Sequence, residues 1–166
     1  MHLRTWSEHR YLEAPWLANS RAGGFLREVG SHYVYFARRL LGAITLHSAH
    51  VGGRDNISAE HFAHVLLHAG DIPITITGST SSGKPDVNVC IVHSERATYR
   101  IRNFHWLDIV GASGWSPAYP APENPERETH LRQLDNVKRL LAGDEKATAS
   151  FSDALAVQRH VEAMLA

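Results

Sequence analysis

Segments of strict alternation, laid end to end, most constrain what this chain can become. "AITLHSAHV", "DIPITITGS", "DVNVCIVHS" and "ATYRIRNFHW" alternate apolar with polar or small residues, and Gly, Pro, Ser and Asn cluster between them. A period of two is the mark of a half-buried strand. A further segment, "AEHFAHVLLHAG", fits both the strand and the helix period. Together they predict a meander of roughly five strands.

Helical patterns flank this block. Between Gly24 and Leu41, apolar residues recur at spacings of three and four through Phe25, Leu26, Val29, Tyr33, Phe36, Ala37, Leu40 and Leu41. Arg38 and Arg39 suit the last turn, and Gly42 suits the stop. Gly30 inside such a helix costs on the order of 1 kcal/mol against Ala, which points to close packing or ligand access. After the strands, "HLRQLDNVKRLLAG" carries an apolar face of Leu131, Leu134, Val137, Leu140 and Leu141. A last helix, "FSDALAVQRHVEAMLA", carries Leu155, Val157, Val161, Met164 and Leu165. The expected fold is therefore α+β: an open, mainly antiparallel sheet with helices packed on one face. The other face is left for solvent or for dimerisation. Residues 1–20 show no clean period and read as an N-terminal arm or remnant strand, with the α+β domain over 21–166. Residues 108–129, rich in Pro, Gly and Ser, read as a long loop.

Composition narrows the classes. The chain has 166 residues, 43% of them hydrophobic, which suffices for a core without disulfide or metal staples. Lys plus Arg equals Asp plus Glu at 17 each, so no large basic nucleic-acid surface is expected. The single cysteine, Cys90, excludes an internal disulfide framework and fits a reducing cytoplasm. The N-terminus lacks the apolar core of a signal peptide, and "YVYFARRLLGAITL" is too short and too charged to span a bilayer.

The stretch "GSTSSGKP", Gly78 to Pro85, meets seven of the eight positions of the phosphate loop GxxxxGK[ST]. A phosphate loop needs a strand before it and a helix after it, so that backbone N–H groups and the helix dipole meet the phosphates. Here Pro85 replaces the magnesium-binding hydroxyl, and a strand pattern follows. The stretch reads as a hairpin loop with Lys84 in solvent.

Chemistry-bearing residues gather in the first helix. Glu28 and His32 are four apart and project from one helix face. A carboxylate beside an imidazole favours the protonated ring and fixes its tautomer, a sound arrangement for taking a proton from a hydroxyl. The same spacing also describes a solvent-facing pair. Arg21 precedes the glycines and is placed to meet an anionic or hydroxylated ligand, or solvent. Trp115 and Tyr119 are suited to cover a sugar ring or to anchor their loop. The spacing of His61, His64 and His68 would make a zinc face on a helix, but on a strand His61 points away from the other two. His47 and His50 fall on opposite faces of a strand and add nothing, so no metal site is expected.

The block "RAGGFLREVGSHYVYFARRLLG" resembles the start of the C-terminal domain of the Gfo/Idh/MocA oxidoreductases, the relatives of glucose–fructose oxidoreductase and inositol dehydrogenase. Gly23 and Gly24 stand where that family has its Gly-rich lead-in to a helix. Glu28, Gly30 and His32 match its acidic, glycine and histidine positions, with Glu in place of the usual Asp. The two C-terminal helices are similar as well, so the likeness spans about residues 16–166. It implies His32 as an acid/base residue with Glu28 as its partner or a substrate ligand, and Arg21, Gly24 and Trp115 are the expected substrate contacts beside them. It implies a sugar, polyol or related small molecule as substrate, NAD or NADP as cofactor, and a homo-oligomer formed through the sheet. The family carries its cofactor on a separate N-terminal domain with a GxGxxG-type loop and a Glu-Lys-Pro motif. Neither is found here, so no cofactor site is expected in this chain. The expected reading is the substrate-binding and oligomerising half of an oxidoreductase, inactive alone, with a stand-alone dimeric ligand-binding or scaffold domain as the alternative.

Overall fold

A computed structural model describes residues 14–53, 57–80, 88–120, 122–144 and 148–166. Residues 81–85 of "GSTSSGKP", and with them the hairpin loop read there and its Lys84, lie outside them. The chain divides into two compact units.

The described part of the first unit opens with a 3-10 turn, Pro15–Ala18, and residue 19 then makes a single bridge to Ser58; most of the stretch read as an arm or remnant strand lies outside the described residues. A π turn, Leu26–Gly30, runs directly into helix α1, Ser31–Leu41. Three antiparallel strands follow, β1 (Thr45–Gly52), β2 (Phe62–Ala69) and β3 (Ile72–Ser79), in the order β1-β2-β3. The ambiguous histidine segment is therefore a strand. β2 and β3 meet in a two-residue hairpin whose first residue, Gly70, has φ +58°, which a side chain rarely adopts. The C-terminal helix, Phe151–Leu165, returns to pack on β1, α1 and the π turn; it is α3 in chain order.

The core of this unit lies between the helices and one sheet face. Odd positions of β2 (Ala63, Val65, Leu67, Ala69) are buried with Ile76 of β3, against Phe25, Leu26 and Val34 from the first helix and Val157, Val161 and Met164 from the last. Even positions of β2 face away from the helices, with His64 exposed and Phe62 39% exposed.

The π turn corrects the helix phase read from sequence. In it the Ser31 N–H donates to the Leu26 carbonyl, a five-residue step that inserts one extra residue. Beyond it the buried positions move one place along. Val34 is 1% exposed and Leu41 packs on the core, while Leu40, expected inside, is 52% exposed.

The second unit holds four antiparallel strands, β4 (Val89–His93), β5 (Thr98–Arg102), β6 (Trp106–Gly111) and β7 (Gly114–Pro117), in that order, and helix α2, Pro125–Leu141. Among the described residues the meander has seven strands in two sheets where about five were expected. The second half of β6, all of β7 and the first turn of α2 occupy the stretch read as a long loop. Helix α2 starts where its caps dictate. The Asn124 side chain accepts from the Arg127 N–H, Pro125 takes the first position, and Glu126 and Glu128 fill the first turn. Its expected apolar face exists in sequence, yet α2 buries none of its described residues.

Candidate functional site at the head of the first helix

The first helix starts on glycine because nothing larger fits. Gly23 packs on the backbone of Leu17, and Gly24 has φ +101° and lies against the Glu60 carboxylate, so a side chain at either position would collide. Glu60, on the approach to β2, is 6% exposed, and its Oε1 accepts the Leu26 N–H at 2.7 Å. It therefore caps the helix from a distant part of the chain. Burial pushes the Glu60 carboxyl above its ordinary range, against the pull of the Leu26 N–H and, more weakly, of Arg27.

Arg27 clamps the same region. Its guanidinium pairs with Glu162 of α3 at 2.7 Å and donates to the Ser20 and Gly23 carbonyls, both at 2.8 Å. That hydrogen bond raises Arg27 and lowers Glu162 from their ordinary values. Ser20, Arg27, Gly52, Ser58, Glu60 and Glu162 border an open cavity of about 330 Å³.

The sequence-predicted residues are distributed as follows. Gly24 sits at the helix head beside Glu60. Glu28 is half-buried within the π turn, and its N–H donates to the Gly24 carbonyl at 3.1 Å. His32 is exposed in the first turn of α1, so these three share one short helical segment. Arg21 is exposed, and its N–H is held by the Asn19 side chain at 2.8 Å. None of these four borders the cavity. Trp115 is a residue of β7 in the second unit, not of a loop, with the Arg100 guanidinium 4.4 Å from its ring centre. Tyr119 donates its hydroxyl to the His105 carbonyl at 2.9 Å, which anchors its own segment. His61 precedes β2 and pairs with the Thr80 hydroxyl at 2.9 Å, so the three-histidine spacing does not form a cluster.

Two features were missed from sequence. Glu60 carried no signal, because its partner Leu26 lies 34 residues away. In the second unit, Asp108 on β6 is 3% exposed and held by Arg102 at 2.6 Å and Arg100 at 2.8 Å on the adjacent strand. Arg102 above all, with Arg100, holds its carboxyl down to about 2. Two arginines two residues apart on a strand, opposite a lone Asp, are the signal that could have found it.

The family model of the GFO/IDH/MocA C-terminal domain matches residues 1–100, which include the Gly-rich helix head with Glu28 and His32. The chain belongs to the GFO/IDH/MocA family. Its fold is similar to that of a dehydrogenase (MviM) from Clostridium difficile, with a TM-score of 0.63 and 14% identity over 85% of this chain and 47% of that one. It is also similar to the WlbA dehydrogenase from Bordetella pertussis, solved with NADH and UDP-GlcNAcA, with a TM-score of 0.61 and 20% identity over 99% of this chain and 52% of that one. The chain thus spans about half the length of each. No curated protein matches it at a significant level.

The described residues of this GFO/IDH/MocA domain do not fit a dinucleotide. Both sheets are wholly antiparallel, and no described strand leads through a glycine loop into a helix that could receive a pyrophosphate. No described helix is long and apolar enough to cross a membrane.

Proposed function

We propose that this domain binds substrate and mediates oligomerisation for an NAD(P)-dependent oxidoreductase acting on a sugar, polyol or related small molecule. It transfers no hydride alone. The observation that carries this reading is the built helix head. Gly23, Gly24 and the Glu60 cap fix one short segment that bears both Glu28 and His32.

In this reading His32, exposed at the start of α1, exchanges a proton with the substrate hydroxyl. Glu28, earlier in the same helical segment, is its partner or holds a neighbouring hydroxyl. Arg21 and Gly24, at the same helix head, contact substrate. The cofactor, NAD or NADP, is supplied by a dinucleotide-binding domain outside the described residues, and hydride transfer is the chemistry it brings. The outward face of β1–β3, bearing exposed Phe62 and His64, pairs with a second copy. The lone Cys90, a half-buried free thiol, accords with a cytoplasmic protein. The lack of fit to a dinucleotide also favours a second reading, a dimeric ligand-binding or scaffold domain that acts without any cofactor.

The test joins the purified chain to a separately produced dinucleotide-binding domain of this family and measures NAD(P)-dependent oxidation of a sugar and polyol panel that includes UDP-GlcNAcA. Turnover is expected only with both chains, and His32→Ala is expected to abolish it. Turnover that survives His32→Ala sinks the assignment of His32. Micromolar NADH binding by the chain alone, measured by calorimetry, sinks the division of labour.

A further inference from the structure

Strand β1 does not alternate regularly. Leu46 pairs with Leu67 and Ser48 with Leu66, so His47 is an extra residue bulged out of the ladder. The bulge undoes the expectation that His47 and His50 lie on opposite faces. Leu46 and Val51 pack on the core, while His50 lies directly across from His64 on the outward face. The bulged His47 joins that face too, because its ring meets that of His68, with centres 5.2 Å apart and planes tilted by 32°. Four of the chain's 12 histidines thus share one side of a three-stranded sheet.

The 5.2 Å separation of the His47 and His68 ring centres is compatible with two imidazoles on one ion as well as with a tilted ring pair. Zinc lies about 2.0–2.1 Å from an imidazole nitrogen and the ring centre about 1 Å farther, so a tetrahedral pair has centres about 5 Å apart. His68 is held in the β2 ladder and the bulged His47 lies between the paired Leu46 and Ser48, so the backbone brings the two rings close without any metal. His47 is exposed and His68 half-buried, which leaves the remaining coordination positions accessible.

We propose that His47 and His68 form a two-histidine site for a divalent transition metal ion of the zinc class on the outward face of β1–β3. Imidazole nitrogens are donors that ions of this class take readily. Water completes the coordination in a single chain. In a pair formed through this face, the same two histidines of a second copy complete it.

The experiment is a calorimetric titration of the untagged, metal-stripped chain with zinc chloride at pH 7.5, run beside sedimentation in excess chelator. One ion per chain or one ion per two chains supports the proposal, and the ratio says whether water or a second copy completes the site. His47→Ala and His68→Ala are each expected to weaken zinc binding at least about tenfold, with His130→Ala as an unchanged control. Far-ultraviolet dichroism checks that each variant is folded, and His47→Gln replaces any variant that is not. Absence of zinc binding at 100-fold molar excess, or binding that both substitutions leave intact, overturns the proposal. A dimer that persists in chelator bears on the oligomer reading alone, so the two ideas fail separately.

Discussion

The Glu60 carboxylate accepts the Leu26 N–H at 2.7 Å, and so caps the first helix from a point 34 residues farther along the chain. The capped end carries the candidate site. A buried carboxylate at this spot gains a charge-assisted hydrogen bond and loses hydration, and its raised pKa shows that hydration is the larger loss.

Glu60→Ala removes the cap and is expected to cost about 1–2 kcal/mol in urea unfolding at pH 7. Glu60→Gln keeps an acceptor for Leu26 and sheds the charge. Because the folded pKa is raised, the native contribution of Glu60 is full at acidic pH and falls as pH rises from about 4.5. Glu60→Gln is therefore expected to flatten that part of the stability profile and to cost less than Glu60→Ala at pH 7. A Gln variant as unstable as the Ala variant at pH 7 contradicts this.

His160 titrates with the opposite sign. Its Nε2 meets the Arg38 guanidinium at 3.1 Å and must be the acceptor; burial first, and Arg38 second, lower its pKa below 6.5. The unfolded chain then takes up a proton before the native one does, so stability is lost as pH falls below about 6.5. His160→Gln is expected to flatten thermal midpoints between pH 7 and 5. An unchanged slope in that variant assigns the acid loss to another group.

Asp108 controls the second unit. Its depressed carboxyl contributes stability that is present above its ordinary value of 3.8 and lost as pH falls through about 2. Asp108→Asn strips Arg100 and Arg102 of their counter-charge. It is expected to raise amide exchange in β5 and β6 while leaving β1–β3 protected. Uniform loss of protection across both units argues against this local role.

The shifted helix phase is testable with two alanines. Val34→Ala opens a hole in a fully enclosed position and is expected to cost about 2 kcal/mol or more. Leu40→Ala, at a half-exposed position, is expected to stay within about 0.5 kcal/mol. Equal costs, measured by urea unfolding, would restore the unbroken helix.

The fold class was legible because alternation and helical stripes are local signals. The inserted residue of the π turn was not, since Tyr33–Val34 and Leu40–Leu41 offer an apolar side chain in either phase. β6 was hidden because Asp108 interrupts its apolar pattern, and its two arginine partners sit on another strand. The helix head was legible as a pattern of Gly23, Gly24, Glu28 and His32. Its distant supports, Glu60 and the Arg27–Glu162 pair, were not, because they meet only after the chain has folded back.

The bulge in β1 has a genetic reading. Leu46 and Val51 would keep their core places if His47 were deleted, for the ladder would then pair one to one. A single codon therefore decides whether this face carries its fourth imidazole, and the hydrophobic interior is blind to the choice. Variation at that codon can rewrite what the surface binds without endangering the fold that displays it.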